Sequence, residues 1–440
     1  MELRGKRVMV IGLGVSGLAA ARLLATRGAA LVLVDSRSEV ARAEIPAGEV
    51  HLGPEDAAWI EGVELVVVSP GVPPTSELVR AARATAIPVI GELELASRFV
   101  RAPIVAVTGT NGKSTVTVMI GDMLKAQGLR TFVGGNLGTP LSEAADQDFD
   151  AAIVEVSSYQ LETIETFAPK VGVHLNLTDD HLDRYRDFEE YGRAKARLFE
   201  NQDKSAWAVL NRDDAEVWKL AQRVRSRVFS FGTTRPAAAP AIWIDSGMLA
   251  FDDGVRSGRI SLYGFKLPGA HNRANAMAAA AAALAMGVEA KTIERTLASF
   301  HGLPHRVEFV REKDGVVYVD DSKGTNVGAV VEALAAMNGP VILIAGGMDK
   351  GGSYEPLRAA VKERVKLITL IGSARAKMSA ALAGAAAIKC VETLAEAVKL
   401  AAQHAQAGDT VLLSPACSSF DQFKDYAERG RVFQKLVRSL

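Results

Sequence analysis

The sequence predicts an α/β chain of three domains, and three observations predict it. Short β-branched runs alternate with segments of helical pattern almost from end to end, as parallel sheets with crossover helices require. The 440 residues correspond to about three domains at roughly 150 residues each. Polar and glycine-rich segments follow the apolar runs, at the strand ends where open sheets bind ligands.

In the first block, VMVIGLG from Val8, LVLVD from Leu31, ELVVVSPG from Glu64 and IPVIG from Ile87 read as strands spaced by helix-length segments. They make a small open sheet over residues 1–93. The basic start Arg4-Gly5-Lys6-Arg7 before an apolar run imitates a signal peptide, but Gly12, Gly14 and Gly17 fit a strand-turn-helix of the mature fold. The second block, 94–302, opens with IVAVTGTNGKST at Ile104, continues through AAIVEVSS at Ala151 and VGVHLNLT at Val171, and ends in a helical stretch near Phe300. Its Ala-rich run from Ala274 to Met286 is shorter than the ~20 residues a membrane span needs and reads as a buried helix. Arg235 to Pro240 reads as a loop. The third block, 303–440, carries GVVYVDDSK, VILIAGG, LITLIG and TVLLSPA as strands of another doubly wound sheet. No short-period repeat, heptad array or low-complexity tract interrupts the chain.

Lys plus Arg number 51 and Asp plus Glu number 51, so there is no global basic field to hold nucleic acid or an anionic membrane. Hydrophobic residues at 48% and charged residues at 23% argue against long disorder. Cys390 and Cys417 are too few for a disulfide scaffold or a cysteine-rich zinc module, and a reducing cytoplasm fits.

The strongest chemical signal is the strand-turn-helix of Val105 to Thr115. Gly109, Thr110, Asn111 and Gly112 form a turn whose backbone N–H groups can face a triphosphate; Lys113 neutralises its oxygens and the Ser114 hydroxyl can ligate Mg²⁺. The strict G-x-x-x-x-G-K-S/T pattern fails at Val107, so a plain glycine-rich helix entry stays open. Glu155 ends an apolar strand, where nucleotide-bound Mg²⁺ commonly finds a carboxylate; a solvated strand-end acid is the alternative. His181 follows another strand and could be a metal ligand, a proton handler or a structural loop residue. Tyr191 and Lys195 share a helix face, and taken alone that helix reads as basic and solvated. Gly12-Leu-Gly14-Val-Ser-Gly17 with Asp35 ending the next strand satisfies the dinucleotide fingerprint, which any nucleotide diphosphate could meet. Cys417 has no obvious base and reads as packing.

Taken together, TGTNGKST, EVSSYQLE, NLTDDHLDRY, the Lys195 helix, GAHNRAN, GLPHR, DDSKGTN, GGMDKGG and SPACSSFDQF resemble the Mur ligases of peptidoglycan synthesis over nearly the whole chain. The resemblance implies a Rossmann-like N-terminal domain holding a UDP-substrate, a central P-loop ATPase-type domain, and a Rossmann-like C-terminal domain that closes over ATP and binds the incoming amino acid. SPAC-S-DQF and S-x-QLE point, within the family, to addition of D-glutamate to UDP-N-acetylmuramoyl-L-alanine, through an acyl phosphate made from ATP. By motif match, Ser114 and Glu155 would hold one of two Mg²⁺ ions and His181 the other, while Lys195 matches a carbamylated lysine directed at the second metal. Asn275, Arg306 and Asp321, with the loop through Thr115, match nucleotide-contacting positions. Lys323, Thr325, Lys350, Ser419, Phe420 and Tyr426 match positions around the amino-acid site, and Ser16, Asp35, Ser36, Arg37, Asn136 and Ser157 positions toward the UDP-muramoyl substrate. The resemblance also implies a cytoplasmic monomer with small-molecule partners.

Three other readings compete. An NAD-dependent oxidoreductase would use Gly12 to Asp35 but leave the Lys113 loop idle. A non-catalytic nucleotide switch would leave the third domain's polar strand ends unexplained. A sister Mur ligase or a folylpolyglutamate synthase-like ligase is the nearest rival.

Overall fold

The computed structural model describes residues 1–40, 45–180 and 184–440. Each block builds its own sheet. The first is parallel throughout, with Arg7–Ile11 (β1), Ala30–Asp35 (β2), Glu49–Leu52 (β3), Leu65–Val68 (β4) and Val89–Gly91 (β5) in the order β3-β2-β1-β4-β5. β2 and β4 are Val/Leu-rich because helices cover both faces of such a sheet. Helix Val15–Thr26 leaves β1 through the glycine turn, and a Cβ on Gly17 would sit 1.8 Å from the Gly12 carbonyl oxygen. Only glycine lets helix and strand approach that closely.

The central sheet has nine strands. Ile104–Thr108 (β6), Thr131–Gly135 (β7), Ala151–Glu155 (β8), Val171–His174 (β9), Trp207–Asn211 (β10), Arg227–Gly232 (β11), Ala241–Asp245 (β12), Met248–Asp252 (β13) and Ser257–Ile260 (β14) follow the order β14-β13-β12-β11-β10-β9-β6-β8-β7. β6 through β12 run parallel, and β13 and β14 turn back antiparallel. Alternation along the strands divides the core. Val105, Val107, Val173 and Leu175 face helices Lys113–Ala126 and Ala270–Ala285, while Ala106, Val154 and Leu210 face Leu161, Tyr191 and Leu198. The Ala-rich run is buried all round, from Ala276 to Leu284. Among the described residues no helix is long and apolar enough to cross a membrane.

In the third sheet Glu308–Lys313 (β15), Val316–Asp320 (β16), Val341–Gly346 (β17), Val365–Ile371 (β18), Ala387–Cys390 (β19) and Thr410–Leu413 (β20) take the order β15-β16-β20-β17-β18-β19. Only β15 is antiparallel to its neighbour. The apolar runs singled out above all form strands, and Arg235 to Pro240 lies outside any regular element. Strands β3, β7, β10 to β15 and β19 were not foreseen; four of them, EVHL, SGRI, EFVREK and AIKC, lie at or beside a sheet edge with much of their surface exposed, so they lack the apolar run that marks a buried strand.

Candidate active site

β6 ends at Thr108, and Gly112, in the left-handed region at φ +84°, starts helix Lys113–Ala126. A Cβ there would meet the Asn275 side-chain oxygen at 2.4 Å. The segment after β9 pins the turn: Asn176 accepts from the Thr110 and Asn111 backbone N–H groups and its amide donates to the Asn111 carbonyl, while Thr110 Oγ1 lies 3.2 Å from the Tyr191 hydroxyl. Lys113 Nζ donates across the turn to the carbonyls of Gly109 (2.9 Å) and Thr110 (2.8 Å).

Ser114 Oγ donates to Glu155 Oε2 at 2.5 Å, and Asn136 Nδ2 donates to Oε1 at 2.7 Å. Glu155 is buried. Burial works against its anion, but the charge of Lys113 and the bonds from Ser114 and Asn136 outweigh it and hold the carboxyl below its ordinary range. The result is an ionised carboxylate and a hydroxyl, side by side at the mouth of a phosphate loop.

Helix Phe188–Ala196 corrects the solvated reading: Tyr191 is 1% and Lys195 2% exposed. Lys195 Nζ donates to the same Gly109 carbonyl at 2.8 Å. Burial, reinforced by the neighbouring charge of Lys113, drives its pKa well below the ordinary lysine value. Arg193 and Arg197 lie off this face and pair with Glu189 and Glu200. His181 lies outside the described residues.

The third domain reaches into this site. Arg306 Nη2 donates to Ser114 Oγ at 2.8 Å, and Lys350 Nζ stands 3.8 Å from Asp180 Oδ1. Arg306 sits between two residues with left-handed backbones, His305 (φ +61°) and Val307 (φ +49°). Such conformations are costly for a β-branched side chain and persist only where surroundings enforce them. Here His305 Nδ1 is bonded to Asp320 at 2.6 Å, and the Val307 N–H donates to Asp321. Burial pushes the Asp321 carboxyl up to about 7, against the bond from Ser414 and the charge of Arg306. Burial, with Arg306 adding to it, lowers Lys323 to about 8, and its Nζ lies 3.8 Å over the Tyr426 ring.

Beside these groups lies a cavity of about 580 Å³ between the second and third sheets. Asn111, Gly112, Thr115 and Asn275 line it from the central side, and Arg306, Asp321, Lys323, Thr325 and Lys350 from the other. Ser419 is buried behind it, and Phe420 is 68% exposed to solvent. Ser157 caps the short helix Ser158–Leu161 in a reciprocal box with Gln160. Ser16, Asp35, Ser36 and Arg37 lie together at the carboxyl edge of the first sheet. There Asp35 accepts from Leu13 N and from Arg37 Nε and Nη2, and Arg37, first through its side-chain bond, holds the carboxyl at about 2.

Sequence reasoning missed Asn176, Asn326 and Arg429. Asn326 Nδ2 donates to Asn111 Oδ1 and to Asp180 across the cavity, and its cap on helix Val327–Ala336 was the available signal. Arg429 is fully buried and donates to the carbonyls of Ser322 and Cys417. Cys417 is buried, as its packing role requires.

Three sheets joined around a phosphate loop define a nucleotide-using α/β enzyme, and comparison with known proteins specifies which. Residues 6–91 match the Mur ligase MurD-like N-terminal domain, 107–283 the Mur ligase middle domain, and 305–417 the Mur ligase glutamate ligase domain. UDP-N-acetylmuramoylalanine–D-glutamate ligases from Geotalea daltonii and Geobacter metallireducens are 46% and 47% identical over 448 residues, covering 100% of this chain and 99% of each relative. The chain belongs to the Mur ligase family. Among solved structures, a MurF ligase from Thermotoga maritima in complex with ADP superposes with a TM-score of 0.61 at 19% identity, covering 100% of this chain and 97% of that one. A pseudomurein peptide ligase type C from Methanothermus fervidus gives 0.63 at 19% identity, over 99% and 100% of the two chains. At these identities the likeness is one of fold.

Proposed function

We propose that this chain joins D-glutamate to UDP-N-acetylmuramoyl-L-alanine at the expense of ATP, making a precursor of peptidoglycan. The observation that carries the mechanism is the contact of the third domain with the phosphate loop: Arg306 donates to Ser114, which donates to Glu155, beside a cavity lined by Asn111, Gly112 and Thr115 of the centre and by Arg306, Asp321 and Lys323 of the third domain. A carboxylate does not react with an amine at neutral pH because oxide is a poor leaving group. Phosphoryl transfer to the alanyl carboxylate gives an acyl phosphate; attack by the glutamate amine then forms the amide and releases phosphate. Both steps gather negative charge between phosphate and carbonyl oxygens, where Lys113 and Arg306 stabilise it in a water-poor site.

In this reading residues 1–93 hold the UDP end of the acceptor, with its pyrophosphate on the Gly12 turn and Ser16, Ser36 and Arg37 around the uridine. The Asp35–Arg37 pairing supports that assignment by presenting a fixed guanidinium at the sheet edge. Asn136 and Ser157 flank the path of the muramoyl peptide through residues 94–302, which bind ATP with help from Thr115, Asn275 and Asp321. Residues 303–440 close the site, and Lys323, Thr325, Lys350, Ser419, Phe420 and Tyr426 receive glutamate. Lys323 and Tyr426 form a cationic and aromatic platform suited to a carboxylate.

The hydroxyl of Ser114 and the ionised carboxylate of Glu155 are hard oxygen donors in contact, the set Mg²⁺ prefers. His181 would serve a second ion. Bound Mg²⁺ would neutralise phosphate charge. Lys195 fits carbamylation, because its buried amine is disfavoured as a cation and a carbamate there would face the positive charge of Lys113. The reading has the enzyme act as a monomer in the cytoplasm, as the family resemblance implies.

Phosphate release from ATP, measured across a panel of UDP-muramoyl acceptors and amino acids, tests the proposal. Turnover should require both UDP-N-acetylmuramoyl-L-alanine and glutamate, with the D form preferred. Release of AMP, or equal turnover with a folate acceptor, would overturn it.

A further inference from the structure

His174 ends β9 beside this site and has no part in the chemistry above. It is 1% exposed, and neither ring nitrogen has a hydrogen-bond partner among the described residues. Buried polar side chains in folded proteins are paired almost without exception, so a histidine bare at both nitrogens needs a reason. The other residues of β9 are Val, Gly and Val, and an apolar side chain in its place would complete the core at no polar cost.

The register of the sheet shows what His174 faces. It pairs with Thr108 of β6 on one side and Leu210 of β10 on the other. Val107, Val173 and Leu175 feed the core under helix Lys113–Ala126; Thr108 and His174 therefore point to the opposite face, where Tyr191, Ala194 and Phe199 pack. The Phe199 ring stacks 6.5 Å from the imidazole. Thr108 Oγ1 is buried and also bare. The residue after Thr108 is Gly109, whose carbonyl receives Lys195 Nζ from that same helix. Two polar side chains without partners among the described residues, on adjacent strands ~4.8 Å apart, thus lie on the sheet face that packs against the helix carrying Lys195. Burial keeps the imidazole neutral, so it offers one N–H donor.

We propose that His174 is a positioning residue for a carbamate on Lys195, donating its ring N–H to a carbamate oxygen, with the Thr108 hydroxyl as a second donor. The inference rests on the carbamylation of Lys195 proposed above. In forming the adduct, the neutral amine's lone pair makes the N–C bond to dissolved carbon dioxide, one C=O π pair moves onto oxygen, and one N–H proton leaves to water. The remaining N–H keeps its bond to the Gly109 carbonyl, and the new oxygens are the acceptors that His174 and Thr108 lack.

The experiment is carbon-13 NMR of the full chain with Mg²⁺, titrated with labelled bicarbonate. The wild type should show a carbamate resonance that is missing in Lys195→Ala. His174→Leu should need about tenfold more bicarbonate for half occupancy, as expected for the loss of one hydrogen bond to an anion, and His174→Gln, which restores a donor, should recover most of that loss. Melting curves check folding. Should His174→Leu not fold, His174→Phe keeps the ring volume against Phe199 without either nitrogen and takes over the comparison. A wild-type resonance with the same bicarbonate dependence in the apolar variant overturns the role of His174 and leaves the Lys195 reading standing. No resonance in the wild type at any bicarbonate concentration overturns both.

Discussion

Arg306 and Ser114 are 192 residues apart in sequence, yet the guanidinium of one donates to the hydroxyl of the other at 2.8 Å. That bond joins the third sheet to the phosphate loop at the hydroxyl proposed above to hold the nucleotide's metal. The two left-handed residues around Arg306 and the His305–Asp320 bond aim the side chain, so the arm is set by backbone geometry as well as by charge.

Arg306→Ala should therefore lower kcat by ~10²- to 10³-fold, the usual cost of removing one electrostatic group from a charge-developing site. Arg306→Lys should recover only part of it, because an ammonium lacks the planar fork. Both variants should melt within a few degrees of the wild type, since the side chain is only half-buried. Steady-state phosphate release and thermal melts check the pair of outcomes; a kcat within threefold of wild type would remove Arg306 from the mechanism.

Lys195→Ala should abolish turnover at ordinary buffer composition and regain part of it with added formate or acetate, which put a carboxylate where the carbamate would stand. Lys195 is 2% exposed, so truncation leaves a buried cavity beside the site. A dose-response curve for each acid, run beside Lys113→Ala as a variant that no carboxylate should rescue, distinguishes replacement of a specific group from general salt effects.

Asp321 gives a pH dependence of defined sign. Burial raises its carboxyl from 3.8 to about 7, so the folded state favours the neutral form. Its contribution to stability is complete below about pH 4 and is lost progressively up to about pH 7. Asp321→Asn cannot ionise, and its stability relative to wild type should rise across that window by about 2–4 kcal/mol and then stay level. Urea midpoints at pH 4.5, 6 and 8 measure it, and parallel pH profiles for the two proteins would show that Asp321 ionises normally.

What could be read beforehand and what could not follow from the range of the forces involved. The Lys113 loop was legible because strand, glycine turn and apolar helix are contiguous, and Glu155 because it closes an apolar run. Lys195 looked solvated because its helix carries Glu189, Glu190, Arg193 and Arg197 on the other faces. Burial of the Tyr191 and Lys195 face depends on acceptors at Thr110 and Gly109, more than 80 residues away. Arg429 resembles any charge in a terminal helix until the Ser322 and Cys417 carbonyls surround it. Strands β3, β14 and β19 expose half or more of their residues, and pairing with a neighbour rather than hydrophobic pattern makes them strands.

The last prediction concerns the joint between the first two sheets. Helix Glu92–Ser97 follows β5 directly, and two of its acids are fully buried against the central domain. Glu92 accepts from the N–H and hydroxyl of Ser142, both at 2.7 Å. Glu94 accepts from Arg98 Nε (2.7 Å), Glu165 N (2.9 Å), Thr166 Oγ1 (2.6 Å) and Phe167 N (2.9 Å). Burial opposes the Glu94 anion, and these donors overcome it and keep its carboxyl below the ordinary range. Glu94→Ala would leave Arg98 Nε, the Thr166 hydroxyl and the backbone N–H groups of Glu165, Thr166 and Phe167 without their acceptor, although Arg98 keeps its pair with Glu165; each buried donor left unsatisfied costs about 1–3 kcal/mol. The joint also sets the distance between the Gly12 turn, where the UDP end would sit, and Asn136 beside Glu155. Loosening it should raise KM for the UDP-muramoyl acceptor several-fold while leaving KM for ATP nearly unchanged, because the ATP cavity is lined from the second and third sheets alone. Urea unfolding and the two KM values test this together. An acceptor KM equal to wild type in a variant that has lost the stability would show that the joint holds the fold without positioning the substrate.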